Sequence, residues 1–285
     1  MTSEATTGRV VLDGLAFPEG PRWHEGRLWF SDMHSLMVVA VDEEGNREDI
    51  VRVENCPSGL GWLPDGRMLV VSMNDRRLLR LEKSGKLTQV ADLSSLASFH
   101  CNDMVVDHEG RAYIGNFGFD LVGKATPVPA NLIMVSPKGR TQIAAKEMMF
   151  SNGTVITPDG KTMIIAETFA ARISAFDIAE DGTLSNRRVW AAMEGAVPDG
   201  ICLDAEGAIW VASPVSAEVL RIVEGGKVTD RISVSTQAYA CMLGGADGKT
   251  LFVCTASSSN PSECTENRDG RIEAFPVKIG HAGRP

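Results

Sequence analysis

Six short stretches decide the fold: Glu25-Gly26 before LWFSD (28–32), Asp65-Gly66 before MLVVSM (68–73), Glu109-Gly110 before AYIGN (112–116), Asp159-Gly160 before TMIIAE (162–167), Glu206-Gly207 before IWVAS (209–213) and Asp247-Gly248 before TLFVCT (250–255). Each joins an acidic residue and a glycine to an apolar run too short for a helix. The glycines lie 40, 44, 50, 47 and 41 residues apart. That period is the length of a four-stranded propeller blade rather than of a helical repeat. A glycine in the turn accepts the positive φ that a tight hairpin demands.

Each period divides into four strands. One precedes the turn, as in SGLGWLP (58–64) or NDMVVD (102–107), and one follows it. The third reads LMVVAVD, RLLRLEK, LIMVSPK, RISAFDI, VLRIVEG and RIEAFPV in successive repeats. The fourth is polar and variable, as in EDIVRV (48–53) and KLTQVA (86–91), which suits an outer edge. Helical periodicity is nearly absent. The sixth repeat has a third strand at 271–277 and no fourth after it, while a spare strand, Arg9 to Asp13, precedes the first repeat. The expected fold is an all-β, six-bladed propeller with four strands per blade, in which the N-terminal strand closes the last blade. It fills one domain over 1–285, with 1–8 as a flexible tail.

Composition narrows the function. With 28 basic and 37 acidic residues the net charge is −9, a poor match for the phosphate backbone of nucleic acids. No window approaches the roughly 18 apolar residues of a membrane span, and Met1–Gly8 is polar. A soluble, cytoplasmic protein with no nucleic-acid or membrane partner is expected; the oligomeric state is open. The six cysteines (56, 101, 202, 241, 254 and 264) form no CxxC pair, so a zinc cluster fails on spacing and buried reduced thiols are expected.

The innermost strands of a propeller ring a central channel. The residue eight positions before each turn glycine (seven in the first repeat) occupies an equivalent slot: Glu19, Ser58, Asn102, Asn152, Asp199 and Ala240. Four of these carry Glu, Asn or Asp. Asn or Asp before glycine is also an ordinary turn pair, yet four oxygen donors at one slot of a ring converge on one axis. Two carboxylates and two amide oxygens suit a hard divalent cation, Ca²⁺ best, with Mg²⁺ or Zn²⁺ as substitutes. No His or Cys occupies a slot, which argues against a softer preferred ion.

The run Phe17-Pro-Glu-Gly-Pro-Arg-Trp23 with Leu28-Trp-Phe-Ser-Asp32 resembles the opening of the senescence marker protein/gluconolactonase family, which includes regucalcin and is related to diisopropylfluorophosphatase and paraoxonase. Asn102-Asp103, Ser151-Asn-Gly-Thr-Val-Ile-Thr-Pro-Asp-Gly160 and Pro198-Asp-Gly-Ile201 resemble its later motifs. The resemblance implies a six-bladed propeller with a single catalytic divalent metal that hydrolyses lactones. Matched motif by motif, Glu19, Asn152 and Asp199 are the implied metal ligands, Asn102 a fourth ligand or a substrate contact, and Asp199 the general base.

There are departures. Sugar-lactonase members carry an arginine two residues before the Asn102 position; here stands His100. It is either a wall residue or a catalytic one. Asp120 matches an acidic substrate contact of the family, or caps a turn. Phe117, Phe119 and Met149 give the mouth an apolar cast. Together these weigh against an aldonolactone and leave room for a less polar ester or lactone. Cys101 and Cys241 adjoin slots but are read as structural. Two alternatives stand beside the lactonase: a phosphotriesterase on the same site, and a non-enzymatic propeller that binds calcium or a partner.

Overall fold

A computed structural model describes residues 8–283. Six four-stranded antiparallel sheets follow one another around a ring, and five of them are ordered in strict chain sequence from the inside out. The innermost strands are Pro18–His24, Pro57–Trp62, Cys101–Val106, Ser151–Ile156, Ile201–Leu203 and Gln237–Gly244. Each touches the next, and the sixth touches the first, so they enclose a common axis. The sixth blade is completed from both ends of the chain. Arg9–Leu15 pairs antiparallel with Gly270–Pro276, with Val10 opposite Glu273 and Leu12 opposite Ile272. The closing strand thus runs two residues past the expected Asp13. The flexible tail expected over 1–8 lies outside the described residues except for Gly8.

The sequence pattern explains the layers. First and second strands are buried along nearly their whole length, because each lies between neighbouring blades. Outer strands such as Arg47–Arg52 are largely exposed, and they carry the polar sequence that an unpaired edge requires. The six turn glycines all have φ between +72° and +81°. In the first blade Glu25 also has positive φ, +49°, and His24 pairs directly with Arg27. This is the two-residue hairpin in which both central residues are left-handed. The other turns are longer, Trp62 pairing with Met68 and Val106 with Ala112, which fits the shorter count from Glu19 to its glycine. The helix Pro261–Asn267 was not anticipated; it interrupts the sixth blade's second connection and starts with Asn260 capping the amides of Ser262 and Glu263. No helix among the described residues is long and apolar enough to cross a membrane.

The glycine after the slot has a specific cause. A Cβ on Gly59 would overlap the backbone nitrogen of Met104 in the next blade, and one on Gly153 would overlap that of Ile201. The Xaa-Gly pairs of the slots are therefore not turns. They let one inner strand lie against the next at backbone distance. Gly153→Ala should lower the unfolding free energy by roughly 1–3 kcal/mol through overpacking; chemical denaturation of the variant checks this, and a loss below about 0.5 kcal/mol, the range of an inert surface change, would contradict it.

Candidate metal centre and active site

The slot residues sit where the inner strands leave regular pairing. In blades two, three and four, Ser58-Gly59 stands opposite Val71 alone, Asn102-Asp103 opposite Gly115, and Asn152-Gly153 opposite Ala166. Two residues against one is a β-bulge, which bends the strand and redirects a side chain. In blade one the extra residue falls after Glu19, at Gly20-Pro21. In blade five Asp199 precedes the short inner strand, held by its N–H to the Ala212 carbonyl at 3.0 Å. Glu19, Asp103 and Asp199 come from blades one, three and five, yet the Asp103 charge raises the proton affinity of Glu19, and the Glu19 and Asp103 charges raise that of Asp199. They face a shared space.

Hydrogen bonds settle which atoms are free. Asn102 Nδ2 donates to the Ser151 carbonyl at 3.2 Å. Asn152 Nδ2 donates to Thr168 Oγ1 at 3.1 Å, and that hydroxyl donates to the Pro198 carbonyl at 2.9 Å. Both amide nitrogens are thereby engaged, which leaves the two amide oxygens as the remaining acceptors. Glu19 Oε2 accepts the Gly20 N–H at 2.7 Å. Asp199 Oδ1 is buried and has no hydrogen-bond partner. A buried carboxylate oxygen without a donor is costly unless something positive meets it.

The charge balance points the same way. Arg22 Nη2 donates to Asp103 Oδ1 at 2.7 Å, and both side chains are buried. Three carboxylates against one guanidinium leave the buried set two negative charges in excess. Burial pushes Glu19 up to about 7 from its ordinary 4.5, with Asp103 adding to the rise and the Gly20 amide and Arg22 opposing it. Burial, and then the Glu19 charge, hold Asp199 well above its usual range. One divalent cation would neutralise the set. Among the described residues no three His, Cys, Asp or Glu side chains gather as a ligand group. A cation here would therefore rely on the amide oxygens of Asn102 and Asn152 beside Glu19 and Asp199, an all-oxygen set suited to a hard ion. The donor chemistry and the orphaned oxygen fit one.

The other singled-out residues have different surroundings. His100 is half-buried and stacked on Phe99, ring centroids 4.2 Å apart; burial lowers its pKa, against the pull of Asp120. Asp120 is exposed, and its Oδ1 accepts the Gly123 N–H at 2.8 Å, the turn-capping option. All six cysteines are free and buried. Burial drives the Cys101 thiol up to about 12 and Cys241 well above its ordinary value, so neither supplies a thiolate at neutral pH. Three residues escaped the sequence reading. Arg22 and Asp103 are three and one positions past their slots, and Asp103 replaces the glycine found after the slot in blades one, two, four and five. That break in the pattern was the available signal. His34 stacks on Phe17 at 5.3 Å, with Nε2 buried and unpartnered; nothing in its local sequence marks it.

Residues 17–257 match the family described as SMP-30/Gluconolactonase/LRE-like region. The chain belongs to this family. It is 31% identical to regucalcin of Danio rerio over 60% of this chain and 59% of that protein. It is 26% identical to a pentonolactonase of Haloferax volcanii over 98% and 97% of the two chains. A solved structure titled as a calcium-binding protein, regucalcin, from Agrobacterium tumefaciens superposes with a TM-score of 0.83 at 22% identity, covering 99% of this chain and 97% of that one. The last comparison establishes the shared fold.

The raised pKa of Glu19 fixes a sign. A carboxyl group whose folded-state pKa lies above its unfolded value stabilises the fold fully below about 4.5, and that contribution is lost as pH climbs toward about 7. For Glu19 the loss is about 3 kcal/mol, and Asp199 adds to it in the same direction. A cation requires the ionised forms and so acts oppositely. The gain in melting temperature on adding Ca²⁺ to chelator-treated protein should accordingly be larger at pH 7.5 than at pH 5. Differential scanning fluorimetry at the two pH values measures it; an equal or reversed difference would contradict the assignment.

Proposed function

We propose that the protein is a divalent-metal-dependent hydrolase that opens a lactone or related cyclic ester to a hydroxy acid. The observation that supports this most is the unpartnered, buried Asp199 Oδ1 at the mouth of a channel whose other donors are Glu19 and the amide oxygens of Asn102 and Asn152. These four residues would hold the ion, Ca²⁺ in preference, with Mg²⁺ or Zn²⁺ able to replace it. When bound, the ion supplies Lewis-acid polarisation of the ester carbonyl and counter-charge for the developing oxyanion. The Haloferax relative is named for the same class of reaction.

The chain's own groups then have these roles. Asp199, ionised, removes a proton from the water that attacks the carbonyl carbon. The ring C–O bond breaks as the tetrahedral species collapses, and the proton passes from Asp199 to the departing alkoxide. Lactone plus water gives the hydroxy acid, and the carboxylate is regenerated. The Ser151 carbonyl fixes the Asn102 amide nitrogen, so that its oxygen is left for the ion. Thr168 fixes Asn152 in the same manner. Gly20 donates to Glu19 and keeps that carboxylate in place while it carries charge. His100 belongs to the wall, since its stacking on Phe99 and lowered pKa leave it a neutral ring at the mouth.

Asp199→Asn keeps the shape and one ligating oxygen but removes the proton acceptor. At saturating Ca²⁺ the variant should lose roughly two to four orders of magnitude in lactone turnover while still binding Ca²⁺ more weakly. Steady-state kinetics with and without chelator test this. Full activity in Asp199→Asn, or wild-type turnover indifferent to chelator, would refute the proposal; phosphotriester hydrolysis without lactone hydrolysis would move the chemistry to phosphorus.

A further inference from the structure

The side of the mouth formed by blades three and four is a continuous aromatic wall. His100 lies over Phe99 and meets Phe117 edge-on at 6.1 Å; Phe117 stacks on Phe150 at 4.4 Å; Phe150 lies 5.2 Å from Phe169, and Phe119 meets Phe169 edge-on at 5.1 Å. The wall is tied to the slots by the backbone. His100 and Phe150 each stand two residues before a slot asparagine, Asn102 and Asn152. The Phe117 N–H donates to the His100 carbonyl at 2.9 Å. The Phe169 N–H donates to the Met149 carbonyl at 3.3 Å, and the neighbouring Thr168 is the residue that fixes Asn152.

Its exposure is graded. Phe119 and Phe150 are buried, as packing rings should be, whereas Phe169 is 43% exposed and Phe99, His100 and Phe117 are only partly covered. The buried pair holds the outer rings in place, and the outer rings present an apolar face beside the reacting centre. Most polar side chains on this side are engaged; Ser151 Oγ is unpartnered but buried, and the exposed Asp120 keeps Oδ2 free. Thr168 Oγ1 accepts from Asn152 and donates to Pro198, Ser98 Oγ donates to the Gly118 carbonyl, and Asp120 is turned to Gly123. Ser151 is fully buried.

We infer that this wall is the subsite for the non-reacting part of the substrate, and that the substrate is a lactone bearing an apolar substituent, alkyl or aryl, rather than a polyhydroxylated sugar lactone. The inference rests on the lactonase reading above. A sugar ring placed here would lose water from its hydroxyls and find only the His100 ring and the rim carboxylate of Asp120 to replace it, while an apolar substituent would cover Phe169 and Phe117 without that loss. Discrimination by apolar contact alone is on the order of 10–200-fold.

The test separates binding from turnover. Non-hydrolysable lactams are titrated calorimetrically into Ca²⁺-loaded full-length protein: an alkyl-substituted δ-lactam, an aryl-fused lactam and a polyhydroxylated aldonolactam. The corresponding lactones are assayed in parallel. Both apolar lactams should bind at least about tenfold more tightly than the aldonolactam, and Phe169→Ser and Phe117→Ser should each erase most of that preference. Thermal melts confirm that the variants fold, and Phe169, being exposed, is the safer of the two. Aldonolactam binding equal to or tighter than the apolar lactams, binding of none of them, or a preference that survives both substitutions overturns the inference. If the lactams discriminate as expected but no lactone is hydrolysed, the subsite stands and the reaction assignment falls. If lactones are hydrolysed with the sugar lactone preferred, the reaction stands and the subsite falls.

Discussion

Six inner strands meet around one axis at backbone contact distance, and that crowding sets the terms for the charges inside. A methyl group at Gly59 or Gly153 is already too much. Glu19, Asp103 and Asp199 are desolvated there, so their charges interact at reduced dielectric. Arg22 answers one of the three charges. The rest must be met by protons, which is what the raised pKa values of Glu19 and Asp199 express, or by a cation. The same geometry thus explains the glycine pattern and the unpartnered Asp199 oxygen, and it supports the proposed hard-ion site.

The Arg22–Asp103 pair also divides the channel. Arg22 reaches from the first blade to Asp103 and the Met104 carbonyl in the third. Beyond it, at the opposite end of the ring, lies a cavity of about 370 Å³ lined by Arg22, Trp23, His24, Trp62 and His108 among others. None of the four oxygen donors lines that cavity. The proposed chemistry belongs instead at the mouth that carries the bulges at Asn102 and Asn152. The far end is packed around His24 stacked on Trp62 at 4.0 Å and Trp29 set edge-on to Trp62.

Much of this was legible in the sequence, for physical reasons. The turn glycines announce themselves because a left-handed residue is needed at the same point of every hairpin, and the blade count and the closing strand follow from their spacing. The slot was legible because a ring converts equal spacing into convergence. The role of the following glycine was not: Pro-Asp-Gly reads locally as a turn, and only the neighbouring blade shows why a side chain is excluded there. Arg22 and Asp103 are far apart in the chain, so nothing local reveals that they pair. Asp120 was read as either substrate contact or turn cap; its bond to Gly123 is a short-range contact that a loop of unknown path conceals. The aromatic wall lay in plain view as Phe99, Phe117, Phe119, Phe150 and Phe169, but such residues are usually core, and their partial exposure is a property of the folded mouth.

The central claim is that two excess negative charges on the axis are matched by one divalent cation. Calorimetric titration of Ca²⁺ into chelator-treated protein, in buffers of different ionisation enthalpy, measures stoichiometry and proton release together. The account predicts one Ca²⁺ per chain, with protons expelled at pH 6.5 and far fewer at pH 8.5, since Glu19 titrates near 7. Absence of binding, or binding at pH 6.5 with no proton release, would contradict it.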